Sequence, residues 1–374
     1  MQKLAVIGGG PAGLHAALEG ASQGLEVVLL EKDKIGSNIK CGEGYFDTLK
    51  LLEKPRAGVC FKVENIIIRM KEEHRVDCTP FNLWMIDREE WQKELGERAR
   101  SRGVEIKEGF KVEENELANL QKKFDLVVDS SGLVPVTSRA YGFKDFYKNN
   151  CASALQYVLE GDFSHIGNSI KVGVEPHYMG YYWVFPKGKN KEGIETANVG
   201  VGVFQGEEGI SLVRELQRVL AKEGLESYKV LKKQGGRIPL KPLQNLTYDN
   251  IMMAGDAAGL ASPLHGGGID LACISGKVAV EEALKGGKNY KNRLGGIIGR
   301  KLVMERELYR LWEEMEYNAF EEVIGIALER DENISPALIL RYRRLWGKEM
   351  PILRTFIKGL LKMDWQGNCL EGGN

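Results

Sequence analysis

The chain has 374 residues, of which 43% are apolar and 28% charged, a composition typical of a folded globular protein rather than a disordered one. Its 52 basic and 52 acidic side chains cancel, which argues against a protein that coats nucleic acid. No apolar run approaches the roughly 18 residues of a membrane-spanning helix, and the first strand leaves no room for a signal peptide. We therefore expect a cytoplasmic protein.

The six Cys and five His are scattered and show neither the spacing of a zinc site nor that of a disulfide framework, so we expect no metal. Gly is unusually frequent: 45 of the 374 residues are Gly, about 12% against a usual share of about 7%. The glycines lie between apolar runs, which indicates places where the backbone must approach another group closely.

The chain begins with a strand, a glycine-rich turn, a helix and a second strand, a βαβ unit that requires a parallel sheet. A helix is predicted near 46–53, two strands joined by a polar turn within 60–80, and a helix over 87–102. Residues 124–132 are apolar on both faces and predict a buried central strand.

The pattern then changes. Residues 145–240 carry aromatic and β-branched runs separated by turns, with one helix near 210–223, which predicts an antiparallel sheet. A buried strand at 250–256 and a helix over 269–284 follow. The remainder, from 291 to 363, is predicted to be almost entirely helical.

Residues 8–13 read Gly-Gly-Gly-Pro-Ala-Gly and match the G-x-G-x-x-G fingerprint of dinucleotide-binding proteins. In that pattern Gly8 permits the tight turn, Gly10 lets the backbone reach a pyrophosphate and Gly13 allows the helix to pack closely on the strand. Glu31, at the end of the second strand, can accept hydrogen bonds from the unphosphorylated ribose of FAD or NAD. The alternative is a glycine-rich turn without a ligand.

A second element favours FAD. Asp256 follows a predicted strand within the run Ala-Gly-Asp-Ala-Ala-Gly and can accept hydrogen bonds from ribitol hydroxyls. The helix that begins near Ile269 can bring its positive end to the flavin edge that is negative when reduced. Alone, this run could be a turn of no functional importance. Next to the N-terminal fingerprint it indicates FAD.

These elements, with the strand near 125–132, resemble the FAD-dependent oxidoreductases of the para-hydroxybenzoate hydroxylase fold. Within that superfamily the chain is most similar to the geranylgeranyl reductases, over about three quarters of its length. The most discriminating feature is a Y-x-W-x-F-P motif followed by G-x-G. The motifs are Lys40-Cys41-Gly42-Glu43-Gly44, Ile86-Asp87-Arg88, Tyr181 to Pro186 with Gly200-Val201-Gly202, and the segment from Gly255 to Ile269.

The resemblance implies flavin contacts along the whole site. These are Ala12, Glu31, Cys41, Gly42, Gly44, Arg88, Val112, Asp256, Gly268 and Ile269. One departure concerns the Asp-Gly motif of the hydroxylases, which here reads Asp129-Ser130-Ser131-Gly132. The inserted residue weakens any inference that a nicotinamide binds in the same groove.

Tyr181, Trp183 and Phe185 alternate along a predicted strand and therefore share one face. Such a stripe is most often core packing, but beside the flavin it would line an apolar tunnel for an isoprenoid chain. Pro186 in the same motif and His265, whose role is open, complete the candidate substrate-binding residues.

Cys41 is the candidate catalytic residue, because its loop is expected to reach the flavin ring, where a thiol could donate a proton or act in redox chemistry. It could instead be a small packing residue. Arg88, likewise, could be a surface ion-pair partner rather than a flavin contact.

The expected fold class is mixed α/β (α+β). Residues 1–140 and 245–290 form a Rossmann-like FAD-binding domain, and 57–82 are a candidate contribution to the substrate layer. Residues 141–244 form an inserted antiparallel-sheet substrate domain, and 291–374 form a C-terminal helical region.

The resemblance implies an FAD-dependent reductase that saturates isolated C=C bonds of geranylgeranyl chains in archaeal-type membrane lipid biosynthesis. The alternatives are a flavin-dependent monooxygenase or halogenase of the same fold, and a non-catalytic electron-transferring flavoprotein. Since only one complete fingerprint is present, we expect no bound nicotinamide, and the external electron donor is unknown. The basic, amphipathic residues 336–361 form either a solvated helical cap or a peripheral contact with the inner membrane face.

Overall fold

The structure is a computed structural model that describes residues 1–321 except 191, 205–208 and 319. Its strands are β1 (Lys3–Ile7), β2 (Glu26–Glu31), β3 (Gly44–Asp47), β4 (Val59–Lys62), β5 (Asn65–Arg69), β6 (Glu73–Asp77), β7 (Asn82–Ile86), β8 (Glu105–Glu108), β9 (Leu126–Asp129), β10 (Cys151–Glu160), β11 (Ser169–Val174), β12 (Gly180–Lys189), β13 (Glu195–Val203), β14 (Lys229–Pro239), β15 (Thr247–Tyr248) and β16 (Ile251–Met253). Its α-helices are α1 (Pro11–Ser22), α2 (Arg88–Ser101), α3 (Leu117–Lys123), α4 (Val136–Ala140), α5 (Asp145–Lys148), α6 (Leu212–Lys222), α7 (Ile269–Ala283) and α8 (Tyr290–Glu314).

A six-stranded sheet with the order β15-β16-β9-β1-β2-β8 carries the N-terminal fingerprint. All its pairs are parallel except β15 with β16. The predicted βαβ unit and the buried central strand β9 are confirmed. Because the strands β1, β2, β9 and β16 run in the same direction, the loops that follow them meet at one edge, where ligands of such sheets bind.

A seven-stranded sheet with the order β14-β10-β13-β12-β11-β5-β6 forms the second layer. It is antiparallel apart from the β11–β5 pair, and α6 packs on one of its faces. A small sheet, β3-β7-β4, packs against the opposite face of β12. The mixed α/β fold class is therefore confirmed, whereas the domain boundaries stay a prediction.

The helix predicted near 46–53 is wrong. Strand β3 continues to Asp47, and a turn follows in which the buried Asp47 carboxylate accepts hydrogen bonds from the N–H groups of Leu51 and Leu52, at 3.0 and 3.2 Å. A side chain that satisfies two backbone donors in this way stabilises a turn against a helix.

The C-terminal prediction is confirmed as far as α8. The basic segment 336–361 lies outside the described residues. Among the helices that are described, none combines the length and the apolar character needed to cross a bilayer.

Candidate functional site

The glycine-rich turn after β1 is shaped by close contacts with its own neighbours. Gly8 has φ +96°, and a Cβ there would lie 2.5 Å from the carbonyl oxygen of Ser130. A Cβ on Gly13 would lie 1.9 Å from the carbonyl oxygen of Gly8. At Gly10, by contrast, no atom lies within 4 Å of the Cβ position, so the space in front of α1 is open to a ligand.

The carboxylate of Glu31 faces the same turn from the end of β2. Its Oε2 accepts a hydrogen bond from the Gly9 N–H at 2.6 Å, and its Oε1 accepts one from the Asp33 N–H at 2.8 Å. These bonds fix the side chain, and each oxygen keeps a further lone pair. Glu31 can therefore still accept a hydrogen bond from a hydroxyl group of a ribose placed beside the turn.

Two helices begin near this edge without a side-chain cap, α1 after Gly10 and α7 after Gly268. The start of α1 packs closely on the middle of α7, because small residues line the contact between the two helices. A Cβ on Gly276 of α7 would lie 2.0 Å from the carbonyl oxygen of Ala12. Uncapped N-terminal N–H groups attract negative charge. The pair of helices thus suits a diphosphate at α1 and the electronegative edge of a flavin at α7.

Asp256 lies in a 3₁₀ helix that follows β16, Gly255–Ala258. Its side chain is exposed, yet the surrounding protein desolvates the carboxyl enough to raise its pKa to about 6, and the charge of Arg88 acts in the opposite direction. The neighbouring Gly255 packs on the start of α1, where its Cβ would lie 3.0 Å from the Cβ of Ala12. Asp256 is therefore placed near the glycine-rich turn.

We expect FAD binding to weaken as the pH falls below about 6, the pKa of Asp256. The ionised carboxylate accepts hydroxyl hydrogen bonds, so FAD binding below that pH must release a proton, and the Kd should rise by up to about tenfold per pH unit. Asp256→Asn should flatten this dependence. Fluorescence titration with FAD between about pH 5 and 8 measures both, and parallel curves for the two proteins would contradict the assignment.

The loop before β3 brings Cys41 to the junction of the two larger sheets. The carbonyl oxygen of Cys41 accepts a hydrogen bond from Gln156 Nε2 of β10 at 2.9 Å, and that of Gly42 accepts one from Asn198 Nδ2 of β13 at 3.1 Å. The Sγ of Cys41, which is half-exposed, accepts a hydrogen bond from the Glu43 N–H at 3.2 Å. A thiol that accepts on one side can donate its own proton on another.

Glu43 anchors this loop. It is 5% exposed and adopts φ +67°, a conformation that is uncommon for a residue other than Gly. Its Oε2 lies 2.6 Å from Lys187 Nζ and 2.8 Å from Asn198 Nδ2, and its Oε1 accepts the Arg88 N–H at 3.1 Å. Burial alone would lower the pKa of Lys187, but the adjacent Glu43 carboxylate outweighs it and raises that pKa. One carboxylate thus joins the loop to β12, β13 and α2.

A β-bulge in β12 accounts for the direction of Lys187. The pairing of β12 with β13 shifts register between Pro186 and Gly188, so that Lys187 is the additional residue. Proline cannot donate to the sheet, and residues at a bulge can point where a regular strand would not place them. Pro186 of the predicted motif therefore has a geometric role, since it precedes the side chain that reaches Glu43.

Trp183 connects the two halves of the most discriminating motif. It is paired with Gly200 across β12 and β13, and a Cβ on Gly200 would lie 2.2 Å from the indole ring. The indole Nε1 donates to Gln156 Oε1 at 3.3 Å, and Gln156 in turn holds the carbonyl of Cys41. The Y-x-W-x-F-P and G-x-G motifs are therefore one packing unit, which ends at the Cys41 loop.

Tyr181, Trp183 and Phe185 share the face of β12 opposite α6, as their alternation predicts. Trp183 and Phe185 are only 7% and 9% exposed, so this part of the stripe is largely core. Tyr181 is half-buried, and its hydroxyl donates to the carbonyl oxygen of His265 at 2.5 Å. The stripe thus extends from the Cys41 loop to the glycine-rich loop before α7.

The remaining predicted contacts are spread along the site. The guanidinium of Arg88 donates from Nε and Nη2 to Gln92 Oε1, at 3.1 and 2.5 Å. The side chain of Val112 is buried in the core beneath β1 and β2, so only its backbone could contact a ligand. Gly44 begins β3, and Ile269 is buried as the first residue of α7.

These positions form two groups, one at the sheet edge around Glu31 and one around Cys41. An elongated dinucleotide requires such an arrangement, so the residues present fit FAD. Among the residues that the structure describes, no group of three or more His, Cys, Asp or Glu could hold a metal ion.

The sequence did not reveal the polar residues that hold the Cys41 loop. Glu43 stood within a recognised motif but was given no role, and Lys187 directly follows the motif proline. Asn198 lies two residues before the G-x-G motif of β13, and Gln156 lies on β10, which carries no motif. A polar residue at an inward position of a buried strand was the available signal for both.

Comparison with protein families finds a match to the FAD binding domain over residues 3–63. The chain is 28% identical over 359 residues to digeranylgeranylglycerophospholipid reductase 1 of Methanococcoides burtonii, covering 83% of this chain and 85% of that protein. It is 29% identical over 325 residues to the digeranylgeranylglycerophospholipid reductase of Thermoplasma acidophilum, covering 74% and 76%.

Solved structures share the fold. A geranylgeranyl bacteriochlorophyll reductase-like protein from Thermoplasma acidophilum superposes with a TM-score of 0.70 at 22% identity, covering 96% of this chain and all of that one. A flavin-dependent halogenase superposes with a TM-score of 0.61 at 19% identity, covering 99% and 74%. At these identities the structures establish the fold, which reductases and halogenases have in common.

Proposed function

Because the chain is an FAD-dependent oxidoreductase of the geranylgeranyl reductase type, we propose that it saturates the isolated C=C bonds of geranylgeranyl chains in an archaeal-type glycerophospholipid. The relatives named above support the substrate class. The observation that carries the proposal is the connection from Trp183 through Gln156 to the Cys41 loop. This connection joins a predominantly apolar strand to a loop that presents a thiol beside the expected flavin position.

When bound and reduced, FAD would supply a hydride from N5 of its ring system. The alkene gains that hydride at one carbon and a proton at the other, so two C–H bonds replace the π bond. An external two-electron donor must then restore the reduced cofactor. An isolated alkene has no carbonyl to accept charge, so a proton donor has to be held close to the second carbon.

The residues around the Cys41 loop are suited to that task. The thiol is half-exposed, and the Glu43 N–H and the Gln156 amide fix the loop on both sides of it. Trp183 and Phe185 are largely core and support the half-buried Tyr181, whose ring would form an apolar wall that excludes water from an alkene lying along it. We assign the proton-donor role to Cys41 and the positioning of the chain to the β12 stripe.

The purified, FAD-loaded protein, incubated without oxygen with dithionite and a digeranylgeranyl glycerophospholipid, should add two hydrogen atoms for each double bond reduced. Mass spectrometry of the lipid measures the addition. The matched control is the same lipid with oxidised FAD and no reductant, which should stay unchanged.

The rival activities predict other products. A monooxygenase would add oxygen to its product, and only in air. An electron-transferring flavoprotein would reoxidise its FAD with a protein partner and leave the lipid unchanged. The sequence names no electron donor for the FAD. A peripheral contact of residues 336–361 with the membrane stays a prediction, since that segment lies outside the described residues.

A further inference from the structure

A buried group of charges lies behind the glycine-rich loop, where α7 and α8 pack together. Lys301 of α8 is 3% exposed, and its Nζ lies 2.6 Å from Asp270 Oδ2 and 3.9 Å from Glu305 Oε1. Asp270 and Glu305 are only 4% and 5% exposed. One ammonium group thus faces two carboxylates, which leaves the cluster with one net negative charge.

The pKa shifts of Glu305 and Lys301 both favour the ionised form. Burial alone would raise the pKa of Glu305, but His265, Lys301 and Ser262 outweigh it and lower the pKa. Burial alone would lower the pKa of Lys301, but Asp270 and Glu305 raise it. An uncompensated buried charge is costly, so the cluster favours an additional cation at its rim.

Neighbouring elements do not supply that cation. The charges of Asp47 in β3 and Arg88 in α2 also act on residues in or beside the cluster. Because these two charges are opposite, they leave the net charge of this region unchanged. Cys273 and Tyr45 stay neutral, because burial raises the pKa of each. Among the described residues that act on the cluster, His265 carries the neutral base, an imidazole, that can bind a proton and become a cation.

The ring of His265 lies between the cluster and the loop. Its Nε2 lies 3.5 Å from Glu305 Oε1, and its Nδ1 accepts a hydrogen bond from the Gly267 N–H at 3.2 Å. The Tyr181 hydroxyl fixes the residue through its carbonyl oxygen. A proton added at Nδ1 would turn this acceptor into a donor. Both the Nδ1–H and the Gly267 N–H would then be donors at the start of α7.

Building on the proposed position of FAD at this loop, we propose that His265 takes up a proton when the bound FAD is reduced, with Glu305 and Lys301 as positioning residues. Reduction adds two electrons and one proton to FAD and leaves a negative charge on it. His265 binds a second proton and presents its positive charge, with two N–H donors, to that negative charge. The proton is released again when FAD is reoxidised.

The pH dependence of the flavin midpoint potential tests this coupling in the FAD-loaded protein. For a two-electron couple, each coupled proton changes the potential by about 30 mV per tenfold change in proton concentration. Between about pH 6.5 and 9, the wild-type protein should show a segment of about 60 mV per pH unit above neutral pH, where free reduced flavin would give about 30 mV. In His265→Gln that segment should be absent.

Glu305→Gln should shift the steep segment of the potential curve to lower pH, because protonated His265 then loses its nearest negative charge. His177→Gln is the matched control, since His177 pairs with the buried Glu215 at 2.8 Å beside α6 and should leave the curve unchanged. A wild-type slope near 30 mV throughout, or an unaltered curve in His265→Gln, would overturn the proposal. Because the titration needs bound FAD but no lipid, its outcome is independent of whether the protein saturates alkenes.

Discussion

Replacing Cys41 by Ala should leave FAD bound but slow lipid saturation by about 10²–10⁴-fold, the usual contribution of a general acid. The variant keeps the backbone bonds that hold the loop, because Gln156 binds the carbonyl of residue 41 rather than its side chain. It removes the thiol proton proposed for the second alkene carbon, together with the Sγ that accepts the Glu43 N–H. Single-turnover reoxidation of the reduced, FAD-loaded variant by lipid measures the chemical step apart from binding.

Two further variants separate proton donation from packing. Cys41→Ser retains a donor of similar size but weaker acidity and should fall between the wild-type protein and Cys41→Ala. Cys60→Ala is the matched control, since Cys60 is also a half-exposed free cysteine, but one whose pKa burial raises to about 11. Full activity in Cys41→Ala would show that the thiol serves only packing, and the proton source would then be water or His265.

The sequence was a sufficient guide wherever a local pattern has a single structural solution. The fingerprint of Gly8, Gly10 and Gly13 requires a strand, a tight turn and a helix, and the structure places all three at the sheet edge. The N-cap of α2 was equally predictable, because Asp87 accepts the Glu90 N–H at 3.0 Å. Both features depend on neighbours within a few residues in the chain.

Prediction failed where contacts between distant segments decide the structure. The turn after Asp47 has a helical sequence pattern, but its buried carboxylate binds backbone groups ahead of it. The position of the Cys41 loop depends on Gln156 and Asn198, more than a hundred residues away. No local sequence pattern reveals hydrogen bonds between residues so far apart in the chain. The resemblance to known reductases located the loop without revealing what holds it.

The β12 stripe, formed by Tyr181, Trp183 and Phe185, likewise has one feature that the sequence predicted and others that it did not. Alternation predicted that Tyr181, Trp183 and Phe185 share a face, which the structure confirms. It could not show that a Cβ on Gly200 would overlap the Trp183 ring, or that the indole donates to Gln156. The spacing of the two motifs therefore follows from the register of β12 and β13, a property of the sheet rather than of either segment.

Glu43→Gln should lower the free energy of unfolding by about 3 kcal/mol, the lower end of the range for a broken buried ion pair. The change leaves the ammonium of Lys187 without its counter-charge, while the amide can still accept the Arg88 N–H. The lower end applies because the Lys187 side chain is 19% exposed and keeps some contact with solvent. Urea unfolding at a fixed FAD concentration measures the difference.

Lys187→Met and the double variant make this test specific. If the two charges stabilise each other, the double variant should be more stable than the sum of the single changes predicts, because neither charge is then left alone. Glu89→Gln is the control for the chemical change itself. Glu89 forms an ion pair with Lys93 on the exposed side of α2, where water screens both charges, so no measurable change is expected.

The same variants test whether Glu43 positions Cys41. Glu43 donates its N–H to the thiol and holds a left-handed conformation that its carboxylate bonds stabilise, so a loosened side chain should also displace the sulfur. We expect Glu43→Gln to slow saturation even under conditions in which it is fully folded with FAD bound. A variant that loses stability but saturates lipid at the wild-type rate would restrict Glu43 to a structural role and leave Cys41 positioned by Gln156 and Asn198.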